Sequence, residues 1–334
     1  MYKLVSATIE LTRKCNAKCI HCIVNAGEEK NKELTTPEIM KLIEDMSSYN
    51  PKYITLTGGE PFIRKDWALY LQKITFLGIK PMILTNGMLI NDDVIDILKL
   101  YPSVGIGISL DGADKQTHDR IRGIDGIFDH FCEIVPKLIE AKLYVGIPTT
   151  VMNSNYNQLD DILKLLIDLK VKTWQLQTVK PNNRLPKSEL LTEEQFYKLA
   201  EKIAFYRENY SDKMKIVEAD CIGYYSLFQE KLYMKNWRGC ECGIYSCSIE
   251  SDGNVKGCPN MNNSEGNIRN RSFKEIWEDH NSFKYNRSPS VDNLKGYCTE
   301  CKHKYVCRGG CPQNVQCKSG GSYCLYKIEQ KGYD

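Results

Sequence analysis

The chain reads as an α/β protein: a partial (β/α)6 barrel of the TIM type, followed by a small cysteine-rich domain with a β-hairpin. Three observations carry that expectation. From residue 5 to residue 208, short β-rich runs alternate with helix-patterned segments, the signature of βαβ units and a parallel sheet. The unusual polar stretches all follow strands, and in a barrel such loops share the C-terminal rim where active sites lie. Near residue 210 the alternation stops, and ten of the 15 cysteines lie from 240 onward.

The first strand is predicted at 5–12, and residues 36–48 have helical periodicity after Thr35, with Pro37 in the first turn. Strands follow at 53–57, 80–84, 104–110, 143–151 and 173–179, with helices at 66–77, 92–100, 127–141, 157–169 and 193–208. Six units suggest a partial barrel, and an open doubly wound sheet gives the same string. Residues 1–210 form the barrel on this reading, 211–239 a connector rich in Tyr and Lys, and 240–334 the cysteine-rich domain. Within the last, 246–250 and 255–258 predict a hairpin turned by Ser-Asp-Gly-Asn. A helix is expected at 272–284, with Ser272 as cap and Glu275 closing a capping box.

Composition narrows the function. A net charge of +3 over 334 residues gives no reason to expect nucleic acid or an anionic membrane as partner. The N-terminus lacks the apolar core of a signal peptide and no run approaches a membrane span. A cytoplasmic location is expected, where clustered cysteines read as metal sites rather than disulfides. Asp160 and Asp161 read as a solvated first helical turn.

Cys15, Cys19 and Cys22 stand in Cys-Asn-Ala-Lys-Cys-Ile-His-Cys, directly after the first strand. A cubane iron–sulfur cluster is normally closed by four thiolates. Three ligands on one loop leave one iron open, and an open metal position is where chemistry happens. A zinc knuckle is the competing reading, but structural zinc wants four ligands. His21 reads as a fourth ligand or a packing ring. After the second strand comes Gly58-Gly59-Glu60-Pro61, whose glycines let the backbone approach a ligand closely.

These two motifs, in this order, resemble those of radical S-adenosylmethionine (SAM) enzymes. The resemblance runs over residues 5–180. It implies that Cys15, Cys19 and Cys22 bind a [4Fe-4S] cluster whose open iron is chelated by the methionine moiety of SAM. An electron from the cluster then cleaves the sulfonium and releases a 5′-deoxyadenosyl radical. It further implies that Gly58, Gly59, Glu60 and Pro61 bind the methionine amino group. Ser109, in Ser-Leu-Asp-Gly, and Arg122, in His-Asp-Arg-Ile-Arg-Gly, would contact ribose or carboxylate, and His21 and Val151 would border the adenine.

The C-terminal pattern Cys298-x2-Cys301-x5-Cys307-x3-Cys311, with Cys324 beyond it and Gly253-x4-Cys258 upstream, resembles SPASM domains. Such domains hold two auxiliary [4Fe-4S] clusters. The resemblance assigns Cys242, Cys247, Cys258 and Cys311 to one, and Cys298, Cys301, Cys307 and Cys324 to the other. Cys240 competes with Cys242 for the first position. Cys132, Cys221 and Cys317 are left without a role, and a pair of zinc ribbons is the alternative.

The resemblance therefore implies a radical SAM oxidoreductase carrying three [4Fe-4S] clusters. Hydrogen-atom abstraction from a peptide or protein side chain, during maturation of a ribosomally made peptide, is the leading expectation. Tetrapyrrole side-chain decarboxylation and sulfatase-type protein maturation are enzyme alternatives; a zinc-binding or electron-transfer module is the non-enzyme one. An external low-potential donor such as ferredoxin or flavodoxin is expected to feed the N-terminal cluster. The chain opens on its first barrel strand, so leader recognition is expected to fall to another surface or a separate protein. No general acid or base is assigned. Tyr224, Tyr225 and Tyr233 read as connector packing or as lining of a substrate channel.

Overall fold

Strand β1 (Ser6–Glu10) sits inside one continuous sheet of ten described strands. The others are β2 (Tyr53–Thr57), β3 (Lys80–Thr85), β4 (Gly105–Ile108), β5 (Tyr144–Val151), β6 (Thr173–Thr178), β7 (Lys215–Glu218), β8 (Ser246–Ile249), β9 (Asn254–Lys256) and β10 (Gly266–Asn267). The structure, a computed structural model, describes residues 2–30, 32–182, 184–219, 222, 225–232, 239–311 and 323–332. Cys221, Tyr224, Tyr233 and Cys317 lie outside the described residues.

The strand order is β10-β9-β8-β1-β2-β3-β4-β5-β6-β7, and β1 through β7 pair in parallel with their chain neighbours. A doubly wound sheet reverses its order at a switch point; from β1 to β7 this one does not. Right-handed crossovers stepping always the same way leave every helix on one face, so the sheet curls into a partial barrel with an inner face. The crossover helices are α1 (Thr36–Ser47), α2 (Trp67–Phe76), α3 (Asp92–Lys99), α4 (Lys115–Arg122), α5 (Ile127–Glu140), α6 (Leu159–Asp168) and α7 (Glu193–Tyr210).

Alternation along the strands separates the two faces. Ala7, Ile9, Ile54, Leu56, Ile83, Ile106, Ile147, Trp174 and Leu176 are buried in the main apolar core, each Ile and Leu worth about 1.5–3 kcal/mol when fully buried. The alternate positions Thr8, Thr55, Thr57, Met82, Gln175 and Gln177 are only half-buried. The side chains of Gln177 and Thr150 are hydrogen-bonded to each other at 3.0 Å. Asp160, in the first turn of α6, ties that helix to α7 through Lys202 at 2.6 Å.

Besides the short elements β10, α8 (Gln229–Leu232), α11 (Lys304–Cys307) and α12 (Leu325–Gln330), which fall where the sequence predicts connector or loop, three elements differ from expectation. A seventh parallel strand, β7, lies within the stretch expected as connector; its four residues, Lys-Ile-Val-Glu, are too few to establish a period. α4 was not expected because Lys-Gln-Thr-His-Asp-Arg-Ile-Arg has almost no apolar stripe; Asp114 caps it, accepting from the Thr117 N–H at 2.7 Å. The expected helix at 272–284 is two pieces, α9 (Phe273–Glu278) and α10 (Lys284–Arg287), separated by Phe283 at φ 58. The Ser272–Glu275 capping box is present as read.

The hairpin β8–β9 does form, but β8 also pairs in parallel with β1, Ser6 opposite Ser246. The barrel and the cysteine-rich region therefore share one sheet. Beyond them lie the short helices α11 (Lys304–Cys307) and α12 (Leu325–Gln330), while α8 (Gln229–Leu232) packs near α7. Among the described residues no helix is long and apolar enough to cross a membrane.

Candidate active site and cysteine clusters

The loop after β1 carries Cys15, Cys19 and Cys22 and is pinned at both ends. The Cys15 N–H donates to the Gly27 carbonyl at 2.9 Å, and the Gly27 N–H to the Arg13 carbonyl at 3.0 Å. Its middle lies along the end of α4, the Lys18 and Ile20 N–H groups donating to the Arg122 and Ile121 carbonyls, each at 3.1 Å. All thirteen described cysteines are free thiols, these three among them. Burial pushes the Cys15 thiol up to about 11, with the nearby Cys19 and Cys22 adding to it. Burial also raises Cys19, and the Arg122 guanidinium opposes it. Such thiols stay protonated at neutral pH until a metal displaces the proton.

Gly58-Gly59 backs directly onto this loop. The Gly59 N–H donates to the Thr12 carbonyl at 2.6 Å and the Glu60 N–H to the Lys14 carbonyl at 2.9 Å. A Cβ at Gly59 would stand 2.2 Å from the Lys14 oxygen, and one at Gly58 2.5 Å from that of Thr12. No other residue permits this approach. Glu60 is wholly buried, with its carboxylate turned into the protein. It accepts from the Phe62 N–H (3.2 Å), the Thr85 hydroxyl (2.8 Å) and the Asn86 N–H (2.9 Å). Burial nonetheless lifts its pKa to about 7. An ammonium group at this turn would therefore meet chiefly main chain. Asn86 links back to the cysteine loop, its amide donating to Asn16 Oδ1 at 2.7 Å.

A buried polar cluster stands beside Cys19. The Arg122 Nη2 lies 2.7 Å from Asp111 Oδ2, its Nη1 lies 3.7 Å from Cys19 Sγ, and His21 Nε2 is 3.3 Å from Asp111 Oδ2. Arg122 Nη1 donates to Cys19 Sγ, while among the described residues Asp111 Oδ2, Arg122 Nε and His21 Nδ1 have no hydrogen-bond partner. Unsatisfied buried polar atoms in one place fit a polar ligand, so three thiols and this cluster suit a cluster-bound amino acid. Asp111 is held from below by the Thr150 N–H (2.8 Å), while its own N–H donates to His118 Nδ1 at 3.0 Å. Burial lowers both His21 and His118 to about 4, keeping the rings neutral.

Ser109 sits half-buried at the end of β4 on the same rim, its N–H donating to the Thr85 carbonyl at 3.2 Å. Val151 is 0% exposed and shares the helix-facing core with Val145 and Ile147. Alternation along β5 turns its side chain away from the mouth, leaving only its main chain for contact with an adenine. Asp111, Asn86 and His118 were not singled out from the sequence. The available signal was position: Asn86 directly follows β3, and Asp111 stands three residues beyond the end of β4.

The C-terminal cysteines fall into two groups. The Cys242 thiol is within hydrogen-bonding reach of both Cys240 and Cys258, which push it upward in that order. Cys247 is elsewhere: on β8 it pairs with Ala7, faces the apolar core, and has the Arg287 charge as its neighbour. Cys247 therefore stands apart from Cys240, Cys242 and Cys258, which lie together. Cys311 is half-buried at the end of its described segment. In the second group burial pushes Cys307 up to about 12, followed by the charges of Cys324 and Cys298. Cys324 in turn lies near Cys298 and Cys301. Among the described residues no three His, Cys, Asp or Glu side chains gather at single-ion spacing. Cys132, on α5, is apart from both groups.

Comparison with known proteins agrees with this layout. Residues 9–166 match the model of the Radical SAM superfamily, and residues 240–302 that of the SPASM iron-sulfur cluster-binding domain. The AdoMet-dependent heme synthase of Methanosarcina barkeri is 27% identical over 341 residues, covering 96% of either chain. Mycofactocin maturase MftC of Mycobacterium ulcerans is 27% identical over 312 residues, covering 92% of this chain and 82% of its own. In fold, the chain resembles Streptococcus suis SuiB bound to precursor peptide SuiA, with TM-score 0.78 at 18% identity, over 97% of this chain and 76% of SuiB.

Proposed function

Since this chain is a radical SAM enzyme with a SPASM domain, we propose that it abstracts a hydrogen atom from a peptide side chain or backbone during maturation of a ribosomally made peptide. When bound, the cluster and SAM supply the radical that makes such an abstraction possible. The observation that carries the reading is the open loop of three thiols backed by Gly58-Gly59 and flanked by the Asp111–Arg122 pair.

Cys15, Cys19 and Cys22 would hold the catalytic cluster. The main chain of Gly58 to Pro61 orients the methionine ammonium, with Glu60 bracing the turn from inside through Thr85 and Asn86. Arg122 and Ser109 would hold the carboxylate and ribose of SAM, and His21 and the Val151 main chain would border its adenine. Asp111 positions both Arg122 and His21. Cys240, Cys242, Cys258 and Cys311 hold one auxiliary cluster, and Cys298, Cys301, Cys307 and Cys324 the other. Two such clusters, each held by four thiolates, would supply a path for an electron to or from the substrate, with a separate low-potential protein as donor.

The half-buried Thr8, Thr55, Thr57, Gln175 and Gln177 of the inner face support a peptide, whose amides need hydrogen-bonding partners. Similarity to heme synthases over nearly the whole chain favours a second reading, decarboxylation of a tetrapyrrole side chain.

Anaerobic reconstitution with dithionite and SAM tests the proposal. About twelve irons per chain and release of 5′-deoxyadenosine are expected. Cys19→Ala abolishes cleavage, whereas Cys307→Ala loses one auxiliary cluster and product while cleavage survives. A fully iron-loaded protein that releases no 5′-deoxyadenosine refutes it. Incubation with a candidate peptide against an iron porphyrin separates the two substrates.

A further inference from the structure

The helix α10 grips the loop that carries Cys242. Asn286 donates from Nδ2 to the Cys242 carbonyl at 2.7 Å, and Arg287 from Nε to the Gly243 carbonyl at 2.6 Å. Between Lys284 and these two residues stands Tyr285. Its hydroxyl is buried and, among the described residues, has no hydrogen-bond partner. It lies near Cys242, Cys240 and Cys258, whose charges, with that of Glu265, bear on the phenol. Gly257, which precedes Cys258, makes room for it: a Cβ there would stand 1.9 Å from the Tyr285 oxygen.

We propose that Tyr285 donates its O–H to the sulfur framework held by Cys240, Cys242 and Cys258, and so raises the reduction potential of the auxiliary cluster at that site. The inference rests on the cluster reading above and extends it to a residue no ligand motif includes. A buried phenol with its donor unused needs an acceptor, and cluster and thiolate sulfurs are acceptors. A hydrogen bond to them stabilises the more negative, reduced state, which moves the potential upward. Because α10 is anchored to the ligand loop on its C-terminal side, the phenol is held at the cluster rather than merely passing near it. Tyr285 is a positioning and tuning residue, not a catalytic one.

The test uses the full reconstituted chain. Potentiometric titration followed by electron paramagnetic resonance compares wild type with Tyr285→Phe, and iron content and 5′-deoxyadenosine release are measured in both. Equal iron and retained SAM cleavage are expected, with one auxiliary signal harder to reduce. At the wild-type midpoint its reduced-to-oxidised ratio falls about tenfold, equivalent to 59 mV for one electron, while the N-terminal signal stays put. Gly257→Ala, which displaces the phenol without deleting it, gives the same downward shift and serves if Tyr285→Phe loads poorly. An exchangeable proton coupled to the reduced cluster is seen in wild type and lost in either variant. Unchanged potential and proton coupling in an iron-replete variant overturn the inference alone. A wild type holding only about four irons overturns the auxiliary-cluster reading beneath it.

Discussion

The Arg122 guanidinium meets the Asp111 carboxylate at 2.7 Å in the interior and extends from there to within 3.7 Å of the Cys19 sulfur. Both side chains are almost fully out of water. Removing one charge leaves the other buried and uncompensated, which costs about 3–5 kcal/mol. Asp111→Asn is therefore expected to lower the stability of the metal-free chain by that order, read by urea unfolding at pH 7. The double variant Asp111→Asn/Arg122→Gln recovers part of the loss. A single variant as stable as wild type would show that the pair is solvated.

His118 makes stability fall in acid. Burial lowers its folded pKa to about 4, below the value near 6.5 of an unfolded chain. Between those values the unfolded state binds the proton and the folded state does not, so stability is present above pH 6.5 and lost as pH falls toward 4. A displacement of this size is worth about 3 kcal/mol. His118→Asn keeps an acceptor for the Asp111 N–H and removes the titration. Its unfolding free energy should change less than wild type's between pH 7 and pH 4.

The proposed ligand set takes Cys240 in place of Cys247, because Cys240 lies with Cys242 and Cys258 while Cys247 faces the apolar core. Cys240→Ala should reduce iron by about four per chain, with loss of one auxiliary signal. Cys247→Ala should keep its iron and lose about 1 kcal/mol of stability, the ordinary cost of trimming a core side chain. Iron and sulfide analysis of the two variants decides between them; the reverse pattern restores Cys247 as the ligand.

Gly59→Ala tests the approach of the two loops. Its Cβ would meet the Lys14 main chain, oxygen at 2.2 Å and carbon at 2.6 Å, and backbone cannot swing aside as a flexible side chain does. Overpacking of this kind costs about 1–3 kcal/mol. SAM binding, measured by equilibrium dialysis on the reconstituted protein, should weaken about tenfold or more. An affinity equal to wild type would show that the cysteine loop yields freely.

Local patterns in the chain were enough for the barrel's first six strands, the Ser272 cap and the gathering of Cys15, Cys19 and Cys22 on one loop. Each depends on neighbours within a few residues: a period, a cap, or three thiols on one loop. What those patterns lacked was any record of which strand lies beside which. Pairing of β8 with β1 merges the cysteine-rich region into the barrel sheet, and alternation along β8 then turns Cys247 into the core and leaves Cys240 with Cys242 and Cys258. Glu60 tells the same story, since spacing places it on the rim while packing under Thr85 and Asn86 turns its carboxylate inward. Asp111 and Tyr285 look ordinary in a string of letters. Only tertiary packing, by stripping water from them and setting them against Arg122 and the grouped thiols, makes their charge and unused donor matter.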